Sequence, residues 1–346
     1  MVIKRLFKNK LFLIGFLFIF GLFSASLLYF FIKHDQIPSS GLLFNDYNQA
    51  IRPPYSMKTF PPFGTDIFGR DVLFVMIVGA KYTIGAAVII TLLRVLPSTI
   101  MGFILHFYLR KIEKPLASII DAANFFPITL LAFMLLKWIC LDGMIPHAIG
   151  QQPMPYSFWE RVMIFILVLA SLTIPSLTLL ISKEINLIMN KEFISCSRTL
   201  GAANFHLIKK HVRPFLVPQL FIIALRELIQ TLVLLSHLGV LGIFMGGVGL
   251  KEDLFQLTRP VSLSNEWAGS LGDWWDFILT AYPWLTFVPV LFFTLTILAA
   301  KCMLVGLKQV VGSDSLQDAR TTKKAASKST TASPDLFSFA KQDFQQ

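Results

Sequence analysis

The sequence predicts an all-α polytopic membrane protein with six transmembrane helices, on three observations. The first is composition. Of 346 residues, 55% are hydrophobic and only 15% charged, with 33 Phe, whereas a soluble domain carries roughly 45–50% apolar and about 25% charged residues. The second is layout, since crossing roughly 30 Å of hydrocarbon takes about 20 predominantly apolar residues at about 1.5 Å each. Six stretches meet or approach that length: 11–32, 83–108, 116–141, 162–181, 214–244 and 282–306. The third is the distribution of basic residues. With the N-terminus inside, segments 1–10, 109–114, 182–213 and 307–346 hold about 19 Lys and Arg, against about 7 in the three outer segments.

The first span, 11–32, carries no charge and follows Lys4, Arg5, Lys8 and Lys10. Its apolar run exceeds that of a secretory signal and no small-residue cleavage site follows, so it reads as a retained signal anchor. The segment 33–76 is then extracytoplasmic, and its four basic residues are matched by Asp35, Asp46, Asp66 and Asp71. A five-helix core follows over 77–306, with a cytoplasmic loop at 182–213 and an extracytoplasmic loop at 245–281. The last segment, 307–346, turns polar and rich in Ser, Thr, Lys and Ala from Ser313 onward, the composition of a disordered cytoplasmic tail. Both termini are placed in the cytoplasm.

The net charge of +11 is accounted for by this topology. Nucleic-acid binding would gather basic residues on one face with interleaved aromatics, and here they are spread among loops. Cys140, Cys196 and Cys302 are odd in number and far apart, which suggests neither a disulfide framework nor a metal cluster.

No catalytic motif is present. The run Gly246-Gly-Val-Gly-Leu-Lys251 has glycines but neither the spacing nor the hydroxyl of a phosphate-binding loop. His-Glu-x-x-His, Gly-x-Ser-x-Gly and Cys-x-x-Cys are also missing. The chain is expected to be no enzyme and to bind no cofactor, so any chemical energy it uses comes from another chain.

Two polar segments stand out. In Phe63-Gly-Thr-Asp-Ile-Phe-Gly-Arg-Asp-Val72, two glycines allow tight turns and Thr65 and Asp66 suit a helix start; an ordinary turn leading into a helix fits as well. In 191–214, Phe193, Ile194 and Leu200 precede Gly201, and Phe205, Leu207 and Ile208 follow it. The pattern predicts two short amphipathic helices, broken by the glycine and stopped by Pro214. Such an apolar loop between basic flanks calls for a cover, either a protein partner or the lipid headgroups.

These segments resemble the second, C-type permease subunit of binding-protein-dependent ABC importers of the dipeptide, oligopeptide and nickel family. The family's outer Gly-Thr-Asp-x-x-Gly-Arg-Asp stretch is matched by Gly64, Thr65, Asp66, Gly69, Arg70 and Asp71. Further matches are Asp121 with Phe126-Pro127, Leu235-Ser-x-Leu-Gly239, Glu266-Trp-x-Gly269 and Pro283-Trp284, so the resemblance covers roughly 60–310. It implies a type I ABC importer permease fold in a bacterial cytoplasmic membrane. Its implied partners are a second homologous permease, two ATP-binding subunits that hold ATP and Mg, and an extracytoplasmic substrate-binding protein or lipoprotein. Peptides are the implied cargo, with nickel or a metal chelate as the alternative. A stand-alone channel or secondary transporter would call for inverted repeats, which are not visible.

The resemblance makes 191–214 the loop that couples to the ATPases, through Glu192, Phe193, Ser195, Arg198, Leu200, Gly201, Phe205, His211 and Pro214. The family's Glu-Ala-Ala positions are here Ser195, Cys196 and Ser197, so coupling would rest on helix shape and apolar contact, or on Glu192 one turn earlier. Within the spans lie Arg94, Asp121, Arg226 and Glu227. A charge at mid-bilayer costs about 2.5–3.5 kcal/mol, so these four either pair with one another or the partner, or line a pathway. His237 reads as a helix-packing histidine in preference to a proton carrier.

Overall fold

In a computed structural model of the chain, the described residues are 5–140, 156–201, 204–255 and 257–329. The first helix, α1 (Lys10–Lys33), starts at Asn9, whose side chain accepts from Leu11 N–H and Phe12 N–H. The same Asn9 donates to Gln309 Oε1 at 3.0 Å, tying the helix start to the far end of the chain. Between α1 and the next helix, a small antiparallel hairpin pairs β1 (Leu43–Phe44) with β2 (Ala50–Ile51).

Helix α2 (Val72–Phe107) is capped by Asp71, so it begins at the end of the 63–72 motif, well ahead of the expected start at 83. Two of the expected spans are broken. Helices α3 (Arg110–Ala123) and α4 (Ile128–Cys140) meet at 78°, because the residue before Pro127 is pushed out of the helical region. Helices α5 (Phe158–Ser171) and α6 (Ile174–Met189) meet at 41°. There Pro175 sits in the first turn of α6, and its missing N–H and its ring interrupt the ladder.

The loop after α6 forms α7 (Glu192–Thr199) and α8 (Asn204–Leu207), followed by a π-helical turn (Ile208–Val212) that runs directly into α9 (Arg213–Val240). Pro214 therefore does not stop the second helix, as the sequence suggested. It lies in the first turn of α9, and in the wider turn before it Arg213 N–H reaches back to the Ile208 carbonyl, so the ladder shifts register where proline enters. Beyond α9, β3 (Val248–Glu252) pairs antiparallel with β4 (Thr258–Ser262). A buried helix α10 (Trp267–Asp273) and a 3-10 turn (Trp275–Leu279) lead to α11 (Trp284–Ser329).

Among the described residues four helices are long and apolar enough to cross a membrane, or up to six spans if each bent pair counts as one. The architecture is that of a helical multi-pass membrane protein, modified by two short hairpins that an all-α reading did not foresee. A second correction concerns the tail: α11 continues to Ser329, since 313–329 contains many good helix formers and neither Gly nor Pro. Residues 330–346 of that expected tail, and Cys140's side chain, lie outside those described.

The bundle has a hairpin end, with 34–71 and 241–283, and a loop end, with 108–112 and 190–213. Its main core gathers α2, α5, α9, α10 and α11 around Trp267, Phe165, Leu235 and Leu285. Helix α10 is held by Trp267, whose Nε1–H donates to the Met76 carbonyl at 2.7 Å and whose backbone N–H donates to Thr83 Oγ1 at 3.0 Å. Gly239 is what lets α10 approach α9: a Cβ there would collide with the Ala268 carbonyl. Gly239→Val should therefore push α10 outward and cost about 1–3 kcal/mol, the usual penalty of overpacking, seen as a lower thermal midpoint of the purified chain in detergent.

Candidate functional site

The polar side chains inside the bundle converge on Arg94, in the middle of α2 and 1% exposed. The break after α5 leaves carbonyls of its last turn without intrahelical donors, and Arg94 fills one such vacancy. Its Nε and Nη2 donate to the Leu169 carbonyl at 3.1 and 2.7 Å. Its Nη1 donates to Thr231 Oγ1 at 2.9 Å and faces Glu227 Oε2 at 3.4 Å. Glu227 is 3% exposed, so the ion pair is buried and joins α2, α5 and α9.

Of the four intramembrane charges singled out in the sequence, two thus pair with each other and two do not. Asp121 and Arg226 are exposed and face a cleft of about 660 Å³ beside the pair. One wall is a polar stripe on α9, formed by Arg226, Gln230 and His237. The other wall comes from the two helix breaks: Asp121, Asn124 and Thr129 flank the first, and Thr173, Ser176 and Lys183 follow the second. His237 is exposed to this cleft rather than packed between helices, because α9 turns its 226, 230, 237 face away from the core. Sequence reasoning missed Asn124, Lys183 and Gln230. The spacing 226, 230, 237 on one helical face was the available signal.

At the loop end, Gly201 has φ +83, a left-handed conformation that glycine adopts freely. It turns the chain between α7 and α8. Ile194 and Leu207, one on each side, are fully buried in a core cluster with Ile181, Ile185 and Val212. The tip between them is open: Leu200 is 88% exposed, and Ser195 and Arg198 are also exposed, as is Glu192 at the start of α7. The two limbs are joined by the contact of Ser197 Oγ with His211 Nε2 at 3.5 Å and by packing of Phe193 on His211 and Phe215. Lys191 Nζ lies 4.2 Å above the Phe215 ring. Pro214 is exposed at the base; Phe205 lies on α8, and its side chain is outside those described.

The 64–71 motif is built inward. Asp66 is fully buried; its Oδ1 accepts from Phe68 and Arg70 N–H at 2.9 and 2.8 Å, and its Oδ2 pairs with Arg70 Nε at 2.7 Å. Arg70 also donates to Asn265 Oδ1 at 3.1 Å, Thr65 Oγ1 accepts from Tyr55 N–H at 2.9 Å, and Gly64 and Gly69 both have φ +73. The motif thus locks segment 34–71 onto the start of α2 and onto the loop before α10. In that loop, burial pushes the Glu266 carboxyl up to about 7 against the opposing hydrogen bond from Met245 N–H at 2.6 Å. Asp273, which accepts from Ser262 N–H, is likewise raised to about 7 by burial.

Among the described residues no group of three or more His, Cys, Asp or Glu is placed to hold a metal ion. What the fold and its polar interior define is a multi-pass helical membrane protein with a polar cleft inside the bundle. No protein-family model matches the chain. It is similar to the dipeptide transport system permease protein DppC of Alkalihalophilus pseudofirmus, 23% identical over 308 residues, which span 89% of this chain and 87% of that protein. It is also similar to proteins provisionally named peptide transport system permeases in Brucella suis and Brucella melitensis, each 25% identical over 194 residues, 53% of this chain and 58% of the relative. The chain thus resembles peptide transport permeases in its overall sequence as well as in its motifs.

Two outcomes are expected. Replacing Arg94 alone by Leu strands Glu227 and should cost about 3–5 kcal/mol, whereas Arg94→Leu with Glu227→Leu should cost less than the sum of the singles, as a double-mutant cycle of thermal unfolding would read. Because the folded Glu266 carboxyl is raised from 4.5 to about 7, its contribution to stability is full below the lower value and is lost as pH rises through the upper one. Glu266→Gln should flatten that fall, measured as the thermal midpoint between mildly acidic and mildly alkaline buffer.

Proposed function

We propose that the chain is a permease subunit of an ABC importer for peptides, forming half of a translocation pathway in a bacterial cytoplasmic membrane. Its termini face the cytoplasm, in keeping with the basic residues at the loop end. It pairs with a second homologous permease, receives peptide from an extracytoplasmic binding protein docked at the hairpin end, and is driven by two ATP-binding subunits that hold ATP and Mg. The chain catalyses no reaction itself; its work is conformational.

One observation carries this reading: the glycine-bent loop at 191–214 is rooted in the bundle by Ile194 and Leu207, while its tip holds Leu200 in the open. A rooted loop with an apolar tip transmits a push as a rigid body. The Ser195, Cys196 and Ser197 positions, where relatives in the family carry Glu-Ala-Ala, leave the coupling to shape: the Ser197 to His211 contact joins the limbs, and Leu200 supplies the apolar contact.

The test uses the assembled complex in proteoliposomes. Gly201→Pro cannot adopt the positive φ and should abolish binding-protein-stimulated ATP hydrolysis and peptide uptake while leaving membrane insertion intact. Leu200→Asp should lower both at least about tenfold, a loss of about 1.4 kcal/mol in coupling, with the loop still folded. Normal uptake by Gly201→Pro would overturn the assignment.

A further inference from the structure

The cleft beside Arg94 carries charged side chains that form no ion pair among the described residues. Asp121, Lys183 and Arg226 all line it, all are exposed, and none has an ion-pair partner within 4.0 Å among the described residues. Arg226 sits mid-way along a helix apolar enough to cross a membrane, where an unpaired guanidinium turned to lipid is costly. It therefore faces water, a ligand or another protein.

Three features favour a ligand. The walls are made of helix breaks at 124–127 and 172–173, and broken helices within a membrane protein bring free backbone dipoles to a solute site. Uncharged hydrogen-bonding groups, Asn124 and Gln230 among them, lie between the charges. The stripe from Arg226 to His237 runs about 16 Å along α9, from the helical rise per residue, long enough for a peptide of two to about five extended residues.

We infer that this cleft is a binding site for a short zwitterionic peptide with both termini free. Arg226 and Lys183 receive the carboxylate, Asp121 receives the ammonium group, and Asn124 bonds to an amide. With two free cations against one free carboxylate, polycationic peptides are disfavoured. This deepens the pathway reading above and rests on it for the identity of the solute.

The test is carried out on the purified full chain with Cys140, Cys196 and Cys302 replaced by Ser and Gln230→Cys introduced. Dialanine is the probe, with N-acetyl-dialanine and dialaninamide as blocked controls. Dialanine at about ten times its Kd should slow maleimide labelling of position 230 about tenfold, and neither control should do so at the same concentration. Adding Arg226→Gln or Asp121→Asn should remove the protection without changing the thermal midpoint, a readout that a purely structural role would not give. Protection by all three compounds alike, or by none, overturns the inference. So does a position 230 that is shielded in the assembled transporter without peptide and labelled only in the isolated chain, because the second permease would then cover the cleft. Failure of ATP-coupled uptake with dialanine protection intact would instead remove the transporter reading and leave the solute site standing.

Discussion

A charge that must be paired inside an apolar bundle organises this molecule. Arg94 could not be buried alone, and its fixed fork of donors finds acceptors on two other elements: the Leu169 carbonyl left free at the end of α5, and Thr231 with Glu227 on α9. The break after α5 and the arginine are mutually dependent. Without the break the carbonyl would be occupied in its own helix; without the arginine the freed carbonyl would face an apolar interior unsatisfied. Because the same break bends the α5–α6 pair by 41°, it also opens the space in which the cleft forms.

The two ends of the bundle are built differently. At the hairpin end, buried polar groups are heavily cross-bonded: Asp66 with Arg70, Arg70 with Asn265, Glu266 with Met245 N–H, and Trp267 with Met76 and Thr83. This makes a rigid platform. At the loop end, apolar contacts through Ile194 and Leu207 predominate, and the limbs meet through the Ser197 to His211 contact and the packing of Phe193 on His211 and Phe215. A π-turn joins the loop directly to α9, the helix that carries Glu227 and the polar stripe. The loop therefore has a continuous helical connection to the cleft, which is what the proposed coupling requires.

Much of this was legible in the sequence. The apolar stretches were long enough to mark the spans, the 63–72 run to mark a helix start, and the apolar residues around Gly201 to mark a bent, partly buried loop. The expected stop at Pro214 was wrong because a π-turn lets proline sit in a first turn, and a shift of hydrogen-bond register leaves no compositional trace. The helix breaks were hidden inside apolar stretches that satisfied the length test, since hydropathy averages over a window and does not register a 78° bend.

The sequence by itself determined which residues are apolar enough to be removed from water and which glycines, prolines and charges interrupt them. That decided the class of protein and the position of its two motifs, because hydration and backbone sterics act locally. Only the tertiary structure decided the fate of the four intramembrane charges. Neighbouring positions 226 and 227 point about 100° apart on a helix, so one became the buried partner of Arg94 and the other a free charge on the cleft. Pairing depends on distances between helices far apart in the chain, and no local pattern carries those distances.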